Sequence, residues 1–181
     1  MKEELIDGYY LSVYTDIEPL FHIMNQSLRH DHNMTLFRKS GNCIEIVHHW
    51  EFERVTGLKH HSISFYEKKD AIQFINQLLS EVSLSITDMQ EIIGVPQLAT
   101  CNDYHSINDI ENITYHSICH LFSSMIMDGE RFQKETIIAL AFDAGSDYVV
   151  DKNAYKKNEF CGAVSINGKA EYLDPGLLCL D

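Results

Sequence analysis

Asn112-Ile113-Thr114-Tyr115-His116-Ser117-Ile118-Cys119-His120 and, after a short gap, Ile137-Ile138-Ala139-Leu140-Ala141-Phe142-Asp143-Ala144-Gly145-Ser146-Asp147 are the stretches on which the reading of this chain turns. The first has apolar residues at helical spacing, with two imidazoles four positions apart. Positions i and i+4 of a helix share a face, so His116 and His120 form a candidate pair of metal ligands. The second is an apolar run that reads as a buried strand and ends in an acidic, glycine-containing turn. In α/β proteins such a turn is a usual place for ligand-contacting groups. A helix followed by a buried strand indicates an α/β fold.

Working outward, Tyr9 to Tyr14 is a β-prone run and predicts the first strand. Leu20, Ile23, Met24 and Leu28 recur at helical spacing within 15–29, which predicts an amphipathic helix or a long excursion. Met34 to Lys39 and Cys43 to Trp50, parted by Ser40-Gly41-Asn42, predict a hairpin. A helix starting at Ser64 or Glu67 carries Ala71, Ile72, Ile75, Leu78, Leu79 and Val82 on its apolar face. Ile92 to Val95 reads as a short strand stopped by Pro96, and 97–111 as a polar loop. Tyr115 to Met127 reads as a helix, Thr136 to Phe142 as a strand, and Phe160 to Leu173 as a hairpin about Asn167-Gly168. The expected architecture is one α/β domain over 1–181, a mixed β-sheet with flanking helices.

Composition narrows the function. The 181 residues suffice for a sizeable core, and a net charge of -13 argues against nonspecific binding to nucleic acid or an anionic membrane. No apolar run approaches the roughly 18 residues of a membrane span, and the first residues lack the apolar core of a signal peptide. Five scattered cysteines without a CxxC fit reduced thiols in a cytoplasm.

Four clusters carry candidate chemistry. His30-Asp31-His32-Asn33 precedes the second strand, and Arg54, Lys59 and His60 lie in the charged segment after the third. His116 and His120 share a helix face. Asp143 to Asp147 closes the central strand. Arginine and lysine suit phosphate or carboxylate recognition, the imidazole pair suits Fe, Zn, Cu or Ni, and the aspartate–glycine turn suits Mg²⁺ or a phosphate. Each also has a plain structural reading: a chance HxxxH, a solvated charged loop, a capping His30-Asp31, an ordinary β-turn at Asp143 to Gly145.

In order, the clusters resemble the N-terminal part of the O-carbamoyltransferases of antibiotic and nodulation-factor biosynthesis, in the actin-like ATPase superfamily with its ribonuclease H-like lobes. That family's H-D-[AS]-[SA]-x-x-L is similar to His30-Asp31-His32-Asn33-Met34-Thr35-Leu36, and its E-E-E-R-F-[ST]-R-x-K-H to Glu51 through His60. The F-P-x-x-A helix start resembles Phe65-Tyr66 with Ala71. The H-H-x-x-H-A-x-[SA] resembles Tyr115 through Phe122, and V-D-G-x-G-[DE] resembles Phe142 through Asp147. The likeness runs from about Tyr9 to Leu173. Phe52 stands for a glutamate, Leu121 for an alanine and Ala144 for a glycine, and 14–29 is an insertion.

The resemblance implies a carbamoyltransferase-like subunit or fragment: carbamoyl phosphate and ATP give a carbamoyl-adenylate, whose carbamoyl group passes to the hydroxyl of a small acceptor. It implies catalytic roles for Arg54, Lys59 and His60, and nucleotide or phosphate contacts for His30, Asp31, Asp143 and Gly145. It also implies Fe or Zn on His116 and His120, with Mg²⁺ a further candidate. In the family a second lobe supplies an aspartate as third ligand, so the expected partner is a C-terminal-lobe protein in a heterodimer, or a second copy in a homodimer. The alternative expectation is a noncatalytic nucleotide-binding or scaffold protein that keeps the fold.

Overall fold

A computed structural model describes residues 5–27, 29–61, 63–95, 97–100, 115–126, 128–142 and 160–172. They fall into two compact units, Met1–Tyr104 and His105–Asp181. The protein is mixed α/β, with helices packed on a mixed sheet. In each unit alternation along the strands decides which face is covered.

In the first unit strand β1 (Gly8–Tyr14) buries Leu11 and Val13, two residues apart and so on one face. It pairs antiparallel with β2 (Asn33–Ser40), which pairs antiparallel with β3 (Cys43–Glu51) through the expected turn at Gly41 and Asn42. The register sets Val13 opposite Met34 and Met34 opposite Trp50, with Leu11 opposite Leu36 one step along. On its other side β1 runs parallel to β4 (Met89–Ile93), giving the order β3-β2-β1-β4. Two helices belong to the connections here: α1 (Pro19–Ile23), between β1 and β2, and α2 (Phe52–Thr56), directly after β3. Helix α3 (Lys68–Ser80), preceded by Glu67 as expected, buries Ala71, Ile75, Leu78 and Leu79 in one core with the strand residues and Phe52. Ile75, Leu78 and Leu79 each contribute about 1.5–3 kcal/mol on burial. Trp50 closes the core and donates its indole N–H to Glu81 at 3.0 Å.

In this unit one expectation is resolved and one changes. Segment 15–29 follows the excursion reading: α1 is short, and Leu20, Ile23 and Met24 are exposed although they recur at helical spacing. Backbone hydrogen bonds tie this excursion down, from Glu18 to the Phe65 carbonyl, from Phe65 to Asp16 and from Ser64 to Gln26. Strand β4 starts at Met89, three residues earlier than expected, because pairing to β1 begins there, and Val95 is buried beyond its end.

In the second unit helix α4 (Tyr115–Ile126) buries Ile118 and Leu121 against Ala139 and Ala141 of β5 (Thr136–Phe142) and Ala163 of β6 (Phe160–Ile166). The short helix α5 (Gly129–Lys134) is capped by the Asp128 side chain. Strand β6 pairs antiparallel with β5 and with β7 (Lys169–Tyr172), the latter through the Asn167-Gly168 turn. Among the described residues these three strands form a sheet of order β5-β6-β7, so the strands expected in one mixed sheet fall into two. The apolar run of β5 is also buried on one face only. Alanines face the helix, while Ile138, 71 % exposed, and Leu140 face outward. No helix among the described residues is long and apolar enough to cross a membrane.

Candidate functional site

The chain leaves β1 at Tyr14, makes the excursion and returns to β2 through Arg29 to Asn33. It leaves β3 into α2, which ends where Gly57 adopts a left-handed conformation (φ 71°) that an L residue adopts only with strain. That reversal brings the following turn, Lys59–His61, back beside the entry to β2.

Two sequence-predicted clusters meet here. The Asp31 N–H donates to the His60 carbonyl at 2.8 Å, and Asp31 Oδ1 lies 2.7 Å from His60 Nδ1. Asp31 Oδ2 lies 2.5 Å from His30 Nδ1, so one carboxylate engages two imidazoles. The His60 N–H donates to Glu53 Oε2 at 2.7 Å. Asp31 and His60 both adopt positive φ, 57° and 59°. The neighbouring imidazoles, His60 first and His30 second, hold the Asp31 carboxyl below the usual carboxylate value. Asp31 therefore stays ionised well into the acid range.

The predicted cations do not join this cluster. Arg54 turns to Glu51, Nε to Oε2 at 3.1 Å, and lines an open surface depression with His48, His49, Trp50 and Val55. Lys59 is exposed. His116 and His120 of α4 bring their Nε2 atoms to 3.2 Å, as the i, i+4 spacing predicted. Two donors on one tetrahedral ion at zinc–imidazole bond lengths stand about 3.3 Å apart, so the pair fits chelation. Asp143 and Gly145 lie outside the described residues.

Beneath the cluster lies a buried polar network that sequence reasoning missed. Asp16 Oδ1 is 3.0 Å from His32 Nε2 and accepts from Ser27 Oγ at 2.7 Å, while Asp16 Oδ2 accepts from Ser64 Oγ. His32 Nδ1 meets Thr15 Oγ1 at 3.0 Å, and Arg29 Nη1 donates to the Thr15 carbonyl. His32 stands in a candidate cluster, but Asp16, 16 residues away, reads as an ordinary surface polar residue, so no periodicity links the two. Glu53 does stand in the charged motif, but only the Gly57 reversal shows what it bonds. Phe52, beside Glu51 and Glu53 in the charged segment, is fully buried among His61, His32 and Phe74 and so belongs to the core.

His61 packs against Phe52, Phe65 and Phe74 and accepts or donates at Thr56 Oγ1, 2.9 Å from its Nδ1. Burial above all, with the nearby His32 acting the same way and Asp16 opposing, lowers its pKa from 6.5 to about 4. Its neutral form is built into the fold, so the unfolded chain binds a proton first as the pH drops. The resulting stability is complete above pH 6.5 and is lost as the pH falls towards 4. The loss amounts to about 3 kcal/mol. Urea unfolding across that range should show this slope, and a His61→Phe variant should flatten it; an unchanged slope in the variant would assign the acid sensitivity elsewhere.

No protein family, curated protein or solved structure matches the chain.

Proposed function

We propose that this chain carries the first-lobe part of an ATP-dependent carbamoyl transfer from carbamoyl phosphate, through a carbamoyl-adenylate, to the hydroxyl of a small acceptor. The observation that supports it is the junction of Asp31 and His60. The two motifs that resemble the family's phosphate-handling segments, 29 residues apart, meet at 2.7 Å. On this reading His30 and Asp31 border the bound phosphates at the mouth of β2, with His60 beside them. Arg54 and Lys59, exposed on the same α2-to-turn segment, swing onto phosphate or carbamoyl oxygens. In the second unit the imidazole pair of α4 would hold Fe or Zn, which would supply Lewis-acid chemistry there. Fixed charges aimed at developing oxyanions would supply most of the acceleration.

Calorimetric titration of the chain with ATP and with carbamoyl phosphate tests this reading. Saturable binding is expected, weakened about tenfold or more by Arg54→Ala or Lys59→Ala, since a hydrogen bond to a charged group contributes about 1.5–3 kcal/mol. In the presence of the polypeptide that provides the second lobe, acceptor-dependent loss of carbamoyl phosphate should follow. Absence of binding to either ligand, with Fe or Zn supplied, would overturn the reading. ATP binding without any response to carbamoyl phosphate would favour the noncatalytic alternative.

A further inference from the structure

We infer that Asp31, Glu53 and His60, with His30 as a fourth donor, form a second divalent-cation site, separate from the imidazole pair of α4. Asp31, Glu53 and His60 each present one ligand atom, and the three lie within 4.8 Å of one another. A tetrahedral ion at 2.0–2.2 Å from its donors sets them about 3.3 Å apart. Closure thus needs about 1.5 Å, within the swing of side chains at a half-buried and an exposed position. The His30 ring centroid is 6.4 Å from that of His60, and its Nδ1 already touches the Asp31 carboxylate.

The donor set selects the ion. Two imidazoles and two carboxylates suit Zn²⁺ and its late first-row neighbours, whereas Mg²⁺ and Ca²⁺ prefer all-oxygen shells. Charge points the same way. Among the described residues no lysine or arginine pairs with Asp31 or Glu53, and the nearby Arg54 is committed to Glu51. Asp31 meets two imidazoles and Glu53 a backbone N–H, which leaves a net negative spot that a divalent cation neutralises. The inference deepens the carbamoyl-transfer reading in one respect. At a mouth assigned to phosphates, bare carboxylates would repel the ligand, and a cation held by Asp31, Glu53 and His60 that exchanges the His30 donor for a phosphate oxygen would bridge the two. The cation site itself does not depend on that reading.

The test uses Co²⁺ alone, without nucleotide, as a spectroscopic stand-in for Zn²⁺. In a His116→Ala/His120→Ala variant of the full chain, one Co²⁺ per chain should still bind and give the visible band of a low-coordinate nitrogen–oxygen site. Adding Glu53→Gln or His60→Gln should each weaken that binding about tenfold or more, and Mg²⁺ should not compete. Circular dichroism on every variant separates lost ligation from lost folding, and Glu53→Gln, at a half-buried position, decides the matter if His60→Gln unfolds. Failure of Co²⁺ to bind once His116 and His120 are gone, or binding that ignores both added substitutions, would overturn the inference. Neither outcome bears on the ATP and carbamoyl phosphate titrations.

Discussion

Asp16→Ala should destabilise the first unit by about 3 kcal/mol or more, because it removes the carboxylate that joins His32, Ser27 and Ser64 in one buried network, and each buried polar group left short of a partner costs about 1–3 kcal/mol. Asp16 is 3 % exposed and His32 1 % exposed, so water cannot take the place of the lost carboxylate. The Ser27 and Ser64 hydroxyls lose their acceptor at the same time, and a buried polar group without a partner adds to the cost. The damage is also topological. The network holds the 15–29 excursion onto Ser64 and Phe65 and sets the turn that presents Asp31. Thermal melting should fall by about 4–8 °C for each kcal/mol lost in a unit of this size. Exposed pairs give the contrast, since truncating Glu130, which bonds Lys134 on the surface of α5, should barely move the melting point. A near-native melting temperature for Asp16→Ala would show that the network is dispensable.

Gly94→Ala should be at least as damaging. Gly94 follows β4 with φ 120°, and a Cβ built there would lie 1.7 Å from the Val13 carbonyl oxygen and 2.6 Å from its carbon. The obstacle is backbone in the centre of the sheet, so no rotamer change relieves it. Holding a non-glycine residue in such a conformation costs about 1–3 kcal/mol. Forcing β4 away from β1 adds a packing cost of about 1–3 kcal/mol. Against a total stability of about 5–15 kcal/mol, that removes a large share of what keeps the chain folded. Urea titration and the yield of folded protein would measure it. Wild-type stability in Gly94→Ala would mean that the chain does not pass Val13 this closely.

Gly94 also illustrates what a sequence hides. Nothing around Ile92 to Val95 distinguishes it from an ordinary strand-terminal glycine, because the Val13 carbonyl lies 81 positions earlier. The same holds for the Asp16–His32 pair. By contrast, β1, the β2–β3 hairpin, α3, α4, β5 and the β6–β7 hairpin were legible within a residue or two, because each answers to a local period or turn signal. The failures share a cause. Leu20, Ile23 and Met24 repeat at helical spacing yet stay in solvent, and Ile138 and Leu140 face outward while smaller alanines meet α4. Periodicity identifies a face; whether anything covers it is a tertiary matter.

For the candidate site the division is equally physical. Sequence by itself determined most strands, α3 and α4, the net acidity and the approach of His116 to His120, all consequences of composition or of spacing along one chain segment. Only the tertiary structure decided that Asp31 meets His60, that Glu53 joins them while Arg54 turns away, and that His32 and His61 lie beneath in the core. Those outcomes depend on the left-handed turn at Gly57 and on antiparallel pairing that carries distant residues to one end of a sheet. For Asp31 and His60, 29 positions apart, no window of sequence short enough to have a period contains both partners.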